Sequence, residues 1–241
     1  MKRHLHRRGG LRKPVFKMDE SATPLPGRCT DIVTQKKKKD RVSLFVDGAF
    51  LDGFHRDVIE KTGIIRGDLI TEERYDELRR ADRKYQLNNQ IYRWLGVRSH
   101  SSGEIIKKSL AKGFTSGEAR SALDPFIQKG YLDDASFAET FSREKKDRYK
   151  WGPAKIRQAL DQKGVKKQYI DLAIENIFTE EHLIETLEAA SRSAGKRLMR
   201  TEPGLKRKKK LADFLLRRGF PGHLVMEKCD ELLKKLENEE L

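Results

Sequence analysis

Gly130-Tyr131-Leu132-Asp133-Asp134-Ala135-Ser136-Phe137-Ala138, followed by Trp151-Gly152-Pro153-Ala154-Lys155-Ile156-Arg157-Gln158-Ala159-Leu160 and closed by Lys163-Gly164-Val165, is a succession of helix boundaries. Gly130 can adopt the left-handed conformation that ends a helix. Asp133 or Asp134 can cap the next one, which Phe137, Ala138 and Phe141 supply with an apolar face. Gly152-Pro153 stops and restarts the chain again, because proline is tolerated in a first turn where its missing donor would be unpaired. Ile156, Ala159 and Leu160 face inward and leave Lys155, Arg157 and Lys163 outside. The stretch predicts short helices in tandem with a basic outer surface.

Outward from it the pattern repeats. Lys112-Gly113-Phe114, Lys163-Gly164-Val165 and Arg218-Gly219-Phe220 are separated by 164 − 113 = 51 and 219 − 164 = 55 residues. Each follows an apolar helix, ending in Leu110, Leu160 or Leu216, and precedes another. Three successive three-helix units are expected, over about 72–131, 132–179 and 180–241, each burying part of its stripe against a neighbour. Thr71-Glu72-Glu73 opens the first long helix with a cap and acidic residues at its positive end. Ser101-Ser102-Gly103-Glu104 and Thr115-Ser116-Gly117-Glu118 have capping-box spacing. Cys229 lies in the apolar stripe of the last helix and reads as core.

Upstream, Val42, Leu44 and Val46 alternate with Ser43 and Phe45 and run into Asp47-Gly48, the signature of a strand and hairpin turn. With Ala49–Phe54 as the return strand and a short helix over 57–61, residues 41–71 read as a small β-containing cap. Residues 1–40 hold Gly9-Gly10, Pro14, Pro24, Pro26 and the run Lys36–Lys39 with no sustained period, and are expected to be a disordered basic tail.

The 241 residues carry a formal net charge of +15, with 37% hydrophobic and 37% charged residues. That balance suits an elongated helical protein and a polyanionic partner, most simply nucleic acid. Residues 1–40 contribute 12 Lys/Arg against 4 Asp/Glu, so +8 of the excess precedes the folded part and +7 remains within it. Cys29, in the tail, and Cys229 are too far apart in sequence to suggest a disulfide framework or thiolate metal site, which fits a reducing cytoplasm. No apolar run approaches a membrane span, and the basic N-terminus lacks the apolar core of a secretory leader.

No residue pattern supports catalysis, a cofactor or a metal. Gly195-Lys196-Arg197 resembles the end of a phosphate-binding loop, but Ala190 stands where glycine is needed and Arg197 where serine or threonine is needed. Asp133 and Asp134 point two ways and are better explained as a cap. What remains is binding. Lys145, Lys146, Arg148 and Lys150 interleave with Tyr149 and Trp151; Lys155, Arg157, Lys163, Lys166 and Lys167 follow, and Arg217 and Arg218 close the third unit's turn. Lys and Arg neutralise phosphates, and an adjacent ring can stack on an unpaired base. Packing at a unit junction explains Tyr149 and Trp151 better than stacking does. The run Lys206–Lys210 opposes the dipole of the helix it opens, which favours a binding role for it.

The order Gly-Tyr-Leu-Asp-Asp-x-x-Phe-Ala, then aromatic-Gly-Pro-x-Lys-Ile-x-x-x-Leu-x-x-Lys-Gly-Val, resembles the RecX family of bacterial recombination regulators over roughly residues 75–236. Gly130, Tyr131, Leu132, Asp133, Asp134, Phe137, Ala138, Gly152, Pro153, Gly164 and Gly219 carry the signature. The resemblance implies an all-α tandem-repeat protein that is not an enzyme, a cytoplasmic monomer with no membrane contact. It implies binding to the RecA recombinase and its filament on single-stranded DNA, lowering ATP hydrolysis, strand exchange and the co-protease activity of the SOS response. The basic tail and the insert Arg200-Thr201-Glu202-Pro203-Gly204 depart from the family pattern. The alternative is a direct DNA-binding regulator of helix-turn-helix type, with one helix in the major groove.

Overall fold

The structure, a computed structural model, describes residues 25–239. Within them lie four strands, β1 (Gly27–Thr34), β2 (Arg41–Val46), β3 (Ala49–His55) and β4 (Leu69–Ile70), and ten helices. The helices are α1 (Arg56–Thr62), α2 (Glu72–Leu95), α3 (Ser102–Ala111), α4 (Ser116–Gln128), α5 (Asp134–Tyr149), α6 (Pro153–Gln162), α7 (Lys167–Ile177), α8 (Glu180–Met199), α9 (Leu205–Arg217) and α10 (Gly222–Glu239). The chain divides into two compact units, one running up to Arg93 and including Ser109–Ala122, the other formed by Trp94–Lys108 and everything from Leu123 onward. The expected helical unit 72–131 is therefore shared between two compact bodies.

In the first unit the strands form one antiparallel sheet in the order β3-β2-β1-β4. The β2–β3 hairpin turns at Asp47-Gly48, both at positive φ. The Asp47 carboxylate accepts the Arg28 N–H at 3.0 Å, so turn geometry and this bond account for it. Strand β1 corrects the tail boundary. Residues 27–34 fall within the expected tail, where the sequence shows no sustained period before the lysine run, yet Cys29 pairs with Val46 and Ile32 with Leu44. Cys29 is 2% exposed in the sheet core, not in a tail. The part of the expected tail before residue 25 lies outside the described residues.

Val42, Leu44, Val46, Phe54, Ile59, Ile64 and Ile70 complete that core, and Leu78 of α2 closes it. Asp82, one turn further along α2, is buried because its carboxylate has donors: it accepts the His55 N–H at 2.7 Å and the Gln86 amide at 2.5 Å, with Arg41 at 3.4 Å. A buried carboxylate is tolerable only when its lone pairs are used.

In the second unit, α5, α6 and α7 enclose Phe137, Ala138, Ile156, Leu160, Val165, Ile170, Ala173 and Ile174. Helices α8, α9 and α10 enclose Leu187, Leu211, Leu215, Phe220, Val225, Cys229, Leu232 and Leu236 among others. Cys229 is core, as expected, and burial pushes its thiol pKa up.

The repeated turn is real, with its register corrected. Gly113, Gly164 and Gly219 all have positive φ. The residue after each donates its N–H to the carbonyl five positions before, Phe114 to Ser109, Val165 to Leu160 and Phe220 to Leu215. The buried residues before the turns are therefore Ser109, Leu160 and Leu215, each 0% exposed, while Leu110 and Leu216 are exposed. Counting leucines instead of turns displaced two of three positions by one residue.

Candidate functional site

The signature stretch caps helices as its sequence suggests. Asp133 Oδ1 accepts the N–H groups of Ala135 at 2.9 Å and Ser136 at 3.0 Å, satisfying donors that a helix start leaves orphaned. Asp134 Oδ1 accepts the Ser102 N–H at 2.7 Å. The two carboxylates serve different backbone donors. Among the described residues no group of three His, Cys, Asp or Glu is placed to hold a metal ion.

Helix α5 ends at Tyr149, with Lys150 capping it in the left-handed conformation, and α6 starts at Pro153. The three-residue turn brings Lys145, Tyr149, Trp151 and Lys155 together. The Lys145 ammonium lies 4.4 Å from the Tyr149 ring centre, 5.0 Å from Phe141 and 5.9 Å from Trp151. The Lys155 ammonium lies 4.5 Å from Trp151. Tyr149 and Trp151 are 6.1 Å apart and tilted by 50°. Ring faces attract cations, so the two lysines are oriented while their heads stay at the surface. Trp151 is half-buried and Tyr149 is 38% exposed, so the rings pack at a junction and still show an edge to solvent.

The third three-helix unit reaches this turn directly. Gly152 donates its N–H to the Arg218 carbonyl at 2.7 Å and Ala154 to that of Gly219 at 3.0 Å. Arg218 in turn donates to the Tyr149 carbonyl and lies 4.9 Å from the Phe214 ring. Burial pushes the Lys155 pKa down, and the nearby Arg218 guanidinium adds to the effect. Burial likewise lowers that of Arg218, with a further push from Arg197. Arg197 and Arg218 lie 5.9 and 4.9 Å from the same Phe214 ring, and the backbone bond from Ala154 to Gly219 brings Lys155 beside them, so the three form one cationic strip.

The other expected binding residues divide. Lys163 donates to Glu104 Oε1 at 2.7 Å, and Arg157 pairs with Asp171. Lys145 has Glu144 at 3.2 Å. Lys146 donates to the Ile177 carbonyl and, with Lys150, lines a separate cavity of about 540 Å³. Arg148, Lys166, Lys167 and Arg217 are exposed. Among the described residues, none of Lys146, Arg148, Lys150, Lys155, Lys166, Lys167, Arg217 or Arg218 has a carboxylate within ion-pair distance. In the run Lys206–Lys210, by contrast, Lys206, Arg207 and Lys208 are bound to Glu202, Glu237 and Asp230. Most of that run is ion-paired rather than free.

Sequence reasoning met Arg197 only in a phosphate-loop match that it rejected, and met Lys210 only as the end of the run Lys206–Lys210; both line a cavity beside Arg217, where nothing in the sequence placed them. It missed Glu104 as the anchor of Lys163. The capping box marked Glu104, but nothing in the sequence placed Lys163 beside it.

Three family models match this chain. Residues 27–71 match one described as the regulatory protein RecX N-terminal domain, 133–174 the RecX second three-helix domain and 184–228 the RecX third three-helix domain. Regulatory protein RecX of Clostridium perfringens (strain SM101 / Type A) is 27% identical over 215 residues, covering 89% of this chain and 98% of that protein. The protein of the same name from Listeria monocytogenes serotype 4b (strain CLIP80459) is 25% identical over 219 residues, covering 87% and 77%. A crystal structure of regulatory protein RecX superposes with a TM-score of 0.66 at 23% identity, covering 85% of this chain and 99% of that one. That of RecX from Lactobacillus salivarius gives 0.55 at 18% identity, covering 65% and 98%. Both are likenesses of fold.

Proposed function

This chain belongs to the RecX family of regulators, and from that premise we propose that it binds the RecA recombinase filament on single-stranded DNA and restrains it without catalysis. Binding lowers ATP hydrolysis, strand exchange and the co-protease activity of the filament. The observation that carries this reading is the strip from Lys145 and Lys155 to Arg218, in which cations sit over Trp151 and Phe214, and in which Lys155 and Arg218 lack carboxylate partners among the described residues. Such a surface suits a polyanion, whether DNA phosphates or acidic side chains of a filament. Its fixed backbone joint through Gly152 and Gly219 supports presentation of both three-helix units to one partner. The protein acts as a monomer in the cytoplasm, and no described helix is long and apolar enough to cross a membrane.

The test is cosedimentation with RecA filaments of a variant carrying Lys145→Glu, Lys146→Glu, Arg148→Glu and Lys155→Glu. The expected result is loss of cosedimentation with unchanged circular dichroism. Full cosedimentation by the folded variant contradicts this surface.

A further inference from the structure

The end of α8, the insert after it and α9 enclose a cavity of about 430 Å³ lined by Arg197, Leu198, Thr201, Lys210, Asp213 and Arg217. Three cations face one carboxylate there. None of the three has an acidic partner within ion-pair distance among the described residues, although Lys206, Arg207, Lys208 and Lys235 of the same three-helix unit each have one at 2.7 to 2.9 Å. The cavity that Lys146 and Lys150 line is different: Arg192 joins them, but Asp147, Glu185 and Glu188 balance the three.

Two of the three cations are positioned by neighbours. Lys210 donates to Thr201 Oγ1 at 3.1 Å, which uses a hydroxyl lone pair and leaves the Thr201 proton and two ammonium protons free. The Arg197 guanidinium lies 5.9 Å from the Phe214 ring, and the Arg218 guanidinium shares that ring. Three cations against one carboxylate leave a net positive charge, and a multiply charged anion relieves their mutual repulsion while accepting several charge-assisted hydrogen bonds.

We propose that this cavity binds a phosphate group, with Arg197, Lys210 and Arg217 neutralising its charge and Thr201 donating a further hydrogen bond. A phosphate fits this donor set better than a carboxylate because it offers more oxygens to four separated donors. The volume, within the range of small-molecule sites, leaves room for the nucleotide that carries the phosphate. The ligand is therefore a nucleotide unit, either in a single-stranded nucleic acid or as a free nucleotide. The proposal does not depend on the recombinase as partner and is tested without it.

Binding of a labelled single-stranded oligonucleotide and of ATP is measured for the full chain and for the variant Arg197→Gln/Lys210→Gln. Lys206→Gln/Lys208→Gln serves as a control that also removes two charges. The pocket variant is expected to bind oligonucleotide about tenfold more weakly. The slope of log affinity against log salt should fall by about 1.4, that is about 0.7 per lost single-strand phosphate contact. The control should change both less. Loss confined to the oligonucleotide assigns the phosphate to a nucleic-acid backbone, and loss confined to ATP assigns it to a free nucleotide. Equal weakening by the pocket and control variants, or no weakening of either ligand, overturns the proposal.

Discussion

Gly103, in the first turn of α3, and Gly164, in the turn after α6, touch backbone to backbone. A Cβ on Gly103 would lie 2.6 Å from the Gly164 Cα and 2.5 Å from the Lys163 carbonyl oxygen. The same joint recurs one unit later, where a Cβ on Gly152 would lie 2.5 Å from the Gly219 carbonyl oxygen. In both, the start of a middle helix meets the turn glycine of the following unit. The repeat therefore lies in how units join as well as in their helices, and the candidate surface is built at the second joint.

Turn glycines with and without a neighbour separate two effects of substitution. Gly113 has positive φ but open space around its Cβ position, so Gly113→Ala should cost only left-handed strain, about 1 kcal/mol. Gly219→Ala adds a collision with Lys155, whose backbone nitrogen is 2.3 Å from the Cβ position, and should cost about 2 kcal/mol more. Urea unfolding measures both; equal losses would show that the joint yields freely.

Glu104 gives the second unit a pH dependence. Burial alone would raise its pKa, but hydrogen bonds from Arg98 and Lys163 outweigh it and hold the carboxyl down at about 2. A depressed carboxylate contributes its full stability above its unfolded value near 4.5. That contribution is lost as pH falls from 4.5 towards 2. The Arg98 side chain is 49% exposed, so the contribution is about 2 kcal/mol after allowance for solvent. Glu104→Gln should lower unfolding free energy by that amount at pH 7, and the gap to the wild type should close on acidification. A gap independent of pH would mean that the side chain acts through packing.

Asp133 acts as a cap. Asp133→Ala should cost about 1 kcal/mol, and Asp133→Asn only a few tenths, because an amide oxygen also accepts the Ala135 and Ser136 N–H groups. Neither change should alter binding measured under folding conditions. Abolished activity in a stable Asp133→Asn protein would instead indicate chemistry at this carboxylate.

The helices, the hairpin and both capping boxes were legible because each is fixed within a few residues. Ser101 and Glu104 bond reciprocally at 3.1 and 3.3 Å, and Thr115 and Glu118 at 3.2 and 2.7 Å, as their spacing requires. Strand β1 was not legible, since Cys29 and Ile32 are strand residues only through β2 and no sustained period marks them. Nor was the anchoring of the cations. Lys163 and Lys155 look alike in sequence, yet one is tied to Glu104, 59 residues away, and the other rests on Trp151. The Gly103–Gly164 contact was likewise hidden, because a capping box accounts for that stretch without any need for glycine.

The most direct test of the account is ATP hydrolysis by RecA on single-stranded DNA, titrated with this protein from sub-stoichiometric to equal amounts. The account predicts inhibition that rises with added protein, weakened in the charge-reversed variant of Lys145, Lys146, Arg148 and Lys155. Unchanged hydrolysis by a protein that still binds naked DNA would contradict it.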